Sequence, residues 1–222
     1  MHLSKMEFIA LVIAIVLGLH FYNQHKMENE LYDDSDFETP LYLKEDRPPV
    51  IVAFGDSLTA GVGVAKEFSY PAQLSDLLGI DVINAGKPGE TTSNAVVRIR
   101  TVLNRYKPDI VILAEGANDL LHGRKRSVIK KNLKTIVETI KKSGAKVIIL
   151  GMPDMDLIEL MISSDIDLYE EVARETGAYY IPGVFGKVLK NGELKSDNVH
   201  PNAKGYRIIA ENIYESLREL IL

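Results

Sequence analysis

Four short segments of the chain bear side chains suited to nucleophilic chemistry. The first is Phe54-Gly55-Asp56-Ser57-Leu58-Thr59-Ala60-Gly61, where a serine follows a short apolar run. A serine at a strand-to-helix turn exposes its Oγ at the sheet edge, and its amide points the same way as the helix N-terminus. The G-x-S-x-G elbow is absent, because Thr59 stands where its second glycine would be. Asp56 and Ser57 are also common helix caps, so this segment alone leaves cap and nucleophile both open. The second segment runs from Gly86 to Ser93, and its Gly89 allows close backbone approach and an amide donor for an anion. An ordinary turn with a Thr/Ser cap reads the same way. The third is Glu115-Gly116-Ala117-Asn118-Asp119, where Asn118 can offer a side-chain N–H to an oxyanion or simply make a turn. The fourth is Asp197-Asn198-Val199-His200-Pro201-Asn202. Its D-x-x-H spacing lets a carboxylate reach Nδ1 of the imidazole, which leaves Nε2 free to take a serine proton. Asp119-Leu120-Leu121-His122 has the same spacing, so spacing alone leaves His200 and His122 as rival bases.

These segments need elements that bring them together. Val50–Phe54, Val82–Ala85, Ile110–Ala114, Lys146–Leu150 and Ala178–Ile181 are short apolar runs, the last the weakest. Their length and composition predict strands buried on both faces of a parallel sheet. Helical patterns lie between them. Ile129, Leu133, Ile136, Val137 and Ile140 keep 3.6-residue spacing, and Ser143-Gly144 ends that helix. Ile162, Ile166, Tyr169 and Ala173 make a second face, stopped by Gly177. Ile209, Ile213, Leu217 and Leu220 make the last, with Pro201 expected at its first position. The alternation predicts an α/β fold, a three-layer α/β/α sandwich around a five-stranded, mostly parallel sheet. Such sheets bind ligands at the carboxyl ends of their strands, where the first three chemical segments begin.

Composition bounds the remaining possibilities. The 222 residues include no cysteine, which excludes disulfides and a thiol nucleophile. The net charge of −5 argues against a broad nucleic-acid-binding surface. Eight acids against three bases between positions 23 and 49 account for all of it. That stretch reads as a solvated acidic linker. Before it, Phe8–Leu19 has no polar side chain, and His20, Phe21 and Tyr22 extend it. It is short for a spanning helix and lacks a good cleavage site. We expect an uncleaved anchor over 1–22 with the domain of 50–222 outside the cytoplasm, periplasmic or extracellular. Secretion after signal cleavage is the alternative.

Taken together, the four segments resemble the blocks of the SGNH/GDSL hydrolase superfamily, in the right order over about Val50 to Leu222. GDSLTAG and D-x-x-H-P-N make the chain similar to the small bacterial thioesterase/lysophospholipase/arylesterase branch. The resemblance implies a flavodoxin-like strand order, 2-1-3-4-5. It implies Ser57 as nucleophile, His200 as general base in preference to His122, and Asp197 as the acid that orients it. It implies an oxyanion hole from the Ser57 amide, the Gly89 amide and the Asn118 side chain. No metal or organic cofactor is implied. Two positions depart from the family pattern: Ala117 replaces a common glycine, and Glu90 replaces an aspartate, putting a longer carboxylate beside the site.

The expected activity is hydrolysis of acyl esters, thioesters or lysophospholipid-type substrates by a monomer. A carbohydrate O-deacetylase on the same fold is the alternative. A non-catalytic binding protein would have no need of all five residues. His122 is expected near the mouth of the site. Met155 and Leu157, in the apolar stretch 154–162, are expected to line an acyl groove unless they are core residues of the next helix. Arg124, Lys125, Arg126, Lys130, Lys131 and Lys134 form a basic cluster, read as a solvated helix start or a face for anionic headgroups.

Overall fold

The computed structural model describes residues 47–154 and 165–221. The N-terminal apolar segment, most of the acidic linker, and Met155, Leu157 and Ile162 lie outside the described residues. Strands β1 (Ile51–Gly55), β2 (Val82–Gly86), β3 (Ile110–Ala114), β4 (Lys146–Leu150) and β5 (Tyr179–Ile181) form one sheet. Its order is β2-β1-β3-β4-β5, and every neighbouring pair is parallel. β1 and β3 are buried at every position, as their unbroken apolar sequences require. β2 and β5 are edges and are partly exposed, which is why Asn84 and two tyrosines are tolerated there. Gly55 lies level with Gly86 on one side and Ala114 on the other. Three strands thus end together, and the segments starting at Asp56, Lys87 and Glu115 leave the sheet at one edge.

Among the described residues the α-helices are α1 (Ser57–Ala60), α2 (Tyr70–Leu78), α3 (Thr92–Tyr106), α4 (Ala117–Leu121), α5 (Arg126–Lys142), α6 (Leu168–Thr176), α7 (Gly186–Leu189) and α8 (Ala203–Ile221). α2 packs on α8, while α3 packs on α5 and α5 on α6, so helices cover both sides of the sheet. The predicted stripe Ile129, Leu133, Ile136, Val137 and Ile140 is fully buried on α5. β1 sits at the switch point, because the chain leaves it first for β2 and later returns on its other side as β3. That is where ligands bind in open α/β sheets.

Two helix starts differ from expectation. α6 begins at Leu168, so Ile166, expected on its apolar face, lies buried just ahead of it. α8 begins at Ala203 rather than at Pro201. Asn202 is the physical reason, since its Oδ1 accepts from the Gly205 amide at 3.0 Å and so caps the helix after the proline. Pro201 pairs instead with Lys195 in an isolated bridge.

Gly55 shows how tightly the site edge is built. A Cβ there would lie 2.1 Å from Thr59 Oγ1 and 2.4 Å from the Ala114 carbonyl oxygen. Only glycine lets β1, β3 and the turn into α1 approach this closely. At the opposite end of the sheet, Arg47 forks onto Asp109 at 2.8 and 2.9 Å, and Pro49 is buried. Among the described residues no helix is long and apolar enough to cross a membrane.

Candidate active site

Asp56 caps α1, its Oδ1 accepting from the Leu58 amide at 2.9 Å. Ser57 is therefore the first residue of a short helix at the end of β1, where amides have no partner within the helix. The Ser57 Oγ lies 3.1 Å from His200 Nε2, and His200 Nδ1 lies 2.8 Å from Asp197 Oδ2. Asp197 Oδ1 also accepts from the Val199 and His200 amides, each at 2.8 Å. The side-chain bond to His200, then these two amides, pull the Asp197 carboxyl down to about 2. It is thus an ionised acceptor, so Nδ1 carries the proton and Nε2 faces the serine hydroxyl as an acceptor. Asp197 is half exposed and His200 is 18% exposed, so the chain of bonds runs inward from solvent. The segment is closed on itself by the Ser196 amide donating to the His200 carbonyl at 2.9 Å.

The other predicted residues converge on the same edge. Gly89 has φ +73°, a left-handed conformation, and a Cβ there would meet nothing within 4 Å. It is the backbone angle and not crowding that selects glycine. Among the described residues no acceptor bonds its amide. Asn118 lies in the first turn of α4, and its Nδ2 donates to the Glu90 carbonyl at 2.8 Å. The rival pair does not form. Asp119 is buried and accepts from the Thr92 amide at 2.7 Å and the Thr92 hydroxyl at 2.9 Å. His122 is exposed, with Nδ1 2.6 Å from the Asn118 carbonyl oxygen.

The longer carboxylate of Glu90, beside Gly89, turns onto Arg98. Its side chain is fully buried, with both oxygens on Arg98 Nε at 2.8 and 2.7 Å and Lys87 3.6 Å away. Arg98 escaped the sequence reading, although it falls on the apolar stripe Ala95, Ile99, Val102 of α3, an unusual place for a guanidinium. Glu115 escaped it too. It is buried at the end of β3, with both carboxyl oxygens unbonded. Burial, then the charge of Asp56 and of Glu90, raise its pKa well above the carboxylate range. Asp56 is likewise pushed up to about 7, by burial before any charge. In the basic cluster, Arg126 is bonded to Asp154, Lys130 to Glu171 and Glu175, and Lys134 to Glu175.

Residues 53–208 match the model of the GDSL-like lipase/acylhydrolase family. This chain belongs to that family. It is similar to an arylesterase of Vibrio mimicus, 31% identical over 174 residues that cover 75% of this chain and 87% of that protein. It is similar to thioesterase 1/protease 1/lysophospholipase L1 of Escherichia coli, 25% identical over 175 residues, 77% of this chain and 84% of the relative. Among solved structures, the psychrotrophic esterase EstA of Pseudoalteromonas superposes with a TM-score of 0.68 at 25% identity, over 78% of this chain and 98% of that one. Family membership makes the chain a GDSL-type serine hydrolase, an esterase or acylhydrolase.

Proposed function

We propose that Ser57, His200 and Asp197 carry out ester hydrolysis, with the Ser57 amide, the Gly89 amide and the Asn118 side chain as the oxyanion hole. One observation carries this: the unbroken path from Asp197 through His200 to Ser57, with steps of 2.8 and 3.1 Å, the second between residues 143 apart in sequence. His200 Nε2 takes the hydroxyl proton as Ser57 Oγ attacks the acyl carbonyl. The carbonyl oxygen becomes an oxyanion facing the three donors. His200 then returns the proton to the departing alkoxide or thiolate, leaving an acyl-serine. Water, deprotonated by the same imidazole, attacks that ester and releases the acid and the free serine. Asp197 stays charged throughout, holding the tautomer and stabilising the imidazolium.

The substrates we propose are acyl esters, thioesters or lysophospholipids, in keeping with the names of the relatives. His122, Met155 and Leu157 are proposed substrate contacts. The apolar segment Phe8–Leu19 is proposed to hold the domain, beyond its acidic linker, at the outer face of a membrane. The test is a chain-length series of nitrophenyl esters, run beside an acetylated oligosaccharide. Turnover of esters longer than acetate is expected, and turnover of the oligosaccharide alone would overturn this substrate class.

A further inference from the structure

Arg98 reaches four partners around the proposed oxyanion site, Glu90, Ala85, Gly55 and Phe54. Its Nε binds both oxygens of Glu90, and its Nη2 also makes a close contact with Glu90 Oε2. Nη1 donates to the Ala85 carbonyl at 2.8 Å and Nη2 to the Gly55 carbonyl at 3.2 Å. The guanidinium lies over the Phe54 ring, 4.1 Å from its centroid, which fixes its plane. One side chain thus ties the ends of β1 and β2 to the loop that follows β2.

What that loop carries gives the tie its meaning. Gly55 is two residues before Ser57, and Glu90 follows Gly89 directly. The Glu90 carbonyl accepts one of the two Asn118 amide hydrogens. A carboxamide is planar, so fixing one N–H fixes the direction of the other. Gly89, in a left-handed conformation with no Cβ contacts, cannot hold the loop by packing. The bidentate Glu90–Arg98 pair, its carboxylate fully buried, supplies what the glycine lacks.

We propose that Arg98 is a positioning residue. Through Glu90 it holds the Gly89 amide and the Asn118 carboxamide in register with Ser57. This rests on the oxyanion-hole assignment above. Truncating Arg98 to alanine would strand the buried Glu90 carboxylate without its cation. Two milder changes avoid that problem. Arg98→Lys keeps a cation but loses the fork. Glu90→Gln keeps a side chain of the same length with an acceptor oxygen facing Arg98 but removes the charge of the pair.

Each variant is assayed on a nitrophenyl ester, with thermal melting as the fold check and a boronic acid as the tetrahedral mimic. A displacement near 1 Å costs about 10²-fold, and one lost oxyanion donor about 10²–10³-fold. We expect kcat to fall about 10–100-fold with KM little changed, and boronate affinity to fall in parallel. The same change in an Asn118→Ala background should cost much less, because part of the register it protects is already gone. Wild-type kcat and boronate affinity in both variants would overturn the proposal. So would a loss that is undiminished in the Asn118→Ala background, which would mark a merely structural role. A wild type inactive on every ester would overturn the hydrolytic mechanism, and Arg98's role with it.

Discussion

At the scale of single residues, the proposed chemistry depends on protons and hydrogen-bond donors whose positions can be removed one at a time. Asp197 is held by three bonds, so Asp197→Asn keeps the loop but loses the carboxylate that sets the histidine tautomer. By comparison with the serine protease triad, kcat is expected to fall about 10⁴-fold, read in steady-state kinetics with unchanged melting. Asn118→Ala removes one oxyanion donor and is expected to lower kcat about 10²–10³-fold with a smaller change in KM. A drop confined to KM would show that Asn118 binds ground-state substrate instead. Strand ends and D-x-x-H spacing made Ser57, Gly89, Asn118, Asp197 and His200 candidates, and the resemblance to the four blocks of the family gave them the roles proposed here. The choice of His200 over His122 was not legible from spacing. It depends on Asp119 being spent on Thr92, a long-range bond that no local pattern shows. Arg98 was signalled only by its place on the apolar stripe of α3, and Glu115, a single charge after a buried strand, has no periodic signal of its own.

At the scale of elements, the site is an edge where three strands stop level. Its tolerance is correspondingly small. Gly55→Ala would drive a methyl group into Thr59 Oγ1 and the Ala114 carbonyl, prising the serine turn from β3. Overpacking of this kind costs about 1–3 kcal/mol. The melting midpoint and kcat should therefore fall together, and a variant with normal values of both would contradict this account of the edge. The strands themselves were readable from their apolar runs to within a residue. Helix starts were less so. Asn202 and not Pro201 opens α8, and Leu168 opens α6, because caps and packing outweigh the apolar period at helix ends.

At the scale of the whole molecule, the buried acids set the pH response of stability. Asp56 titrates at about 7 in the fold against 3.8 unfolded, and Glu115 also moves upward. Between the two limits the folded chain binds more protons than the unfolded one, so these groups make stability fall as pH rises. Asp197 acts in the opposite sense. Its pull to about 2 adds stability above 3.8 that is lost towards pH 2, discounted because the group is half exposed. Glu115→Gln should flatten the alkaline decline in melting temperature between pH 5 and 8. An unchanged slope would rule out Glu115 as a contributor. The net charge of −5 belongs to the linker and gives no information on the substrate. If the linker lies outside the cytoplasm as proposed, protease added to intact cells should cut it, and full protection would reject that topology.

The central claim is that Ser57 is the nucleophile. Its most direct test is covalent labelling of the full chain with a fluorophosphonate, followed by peptide mapping. The account predicts a single adduct on Ser57, lost in Ser57→Ala together with ester hydrolysis. An adduct on another residue, or hydrolysis that survives in Ser57→Ala, would contradict it.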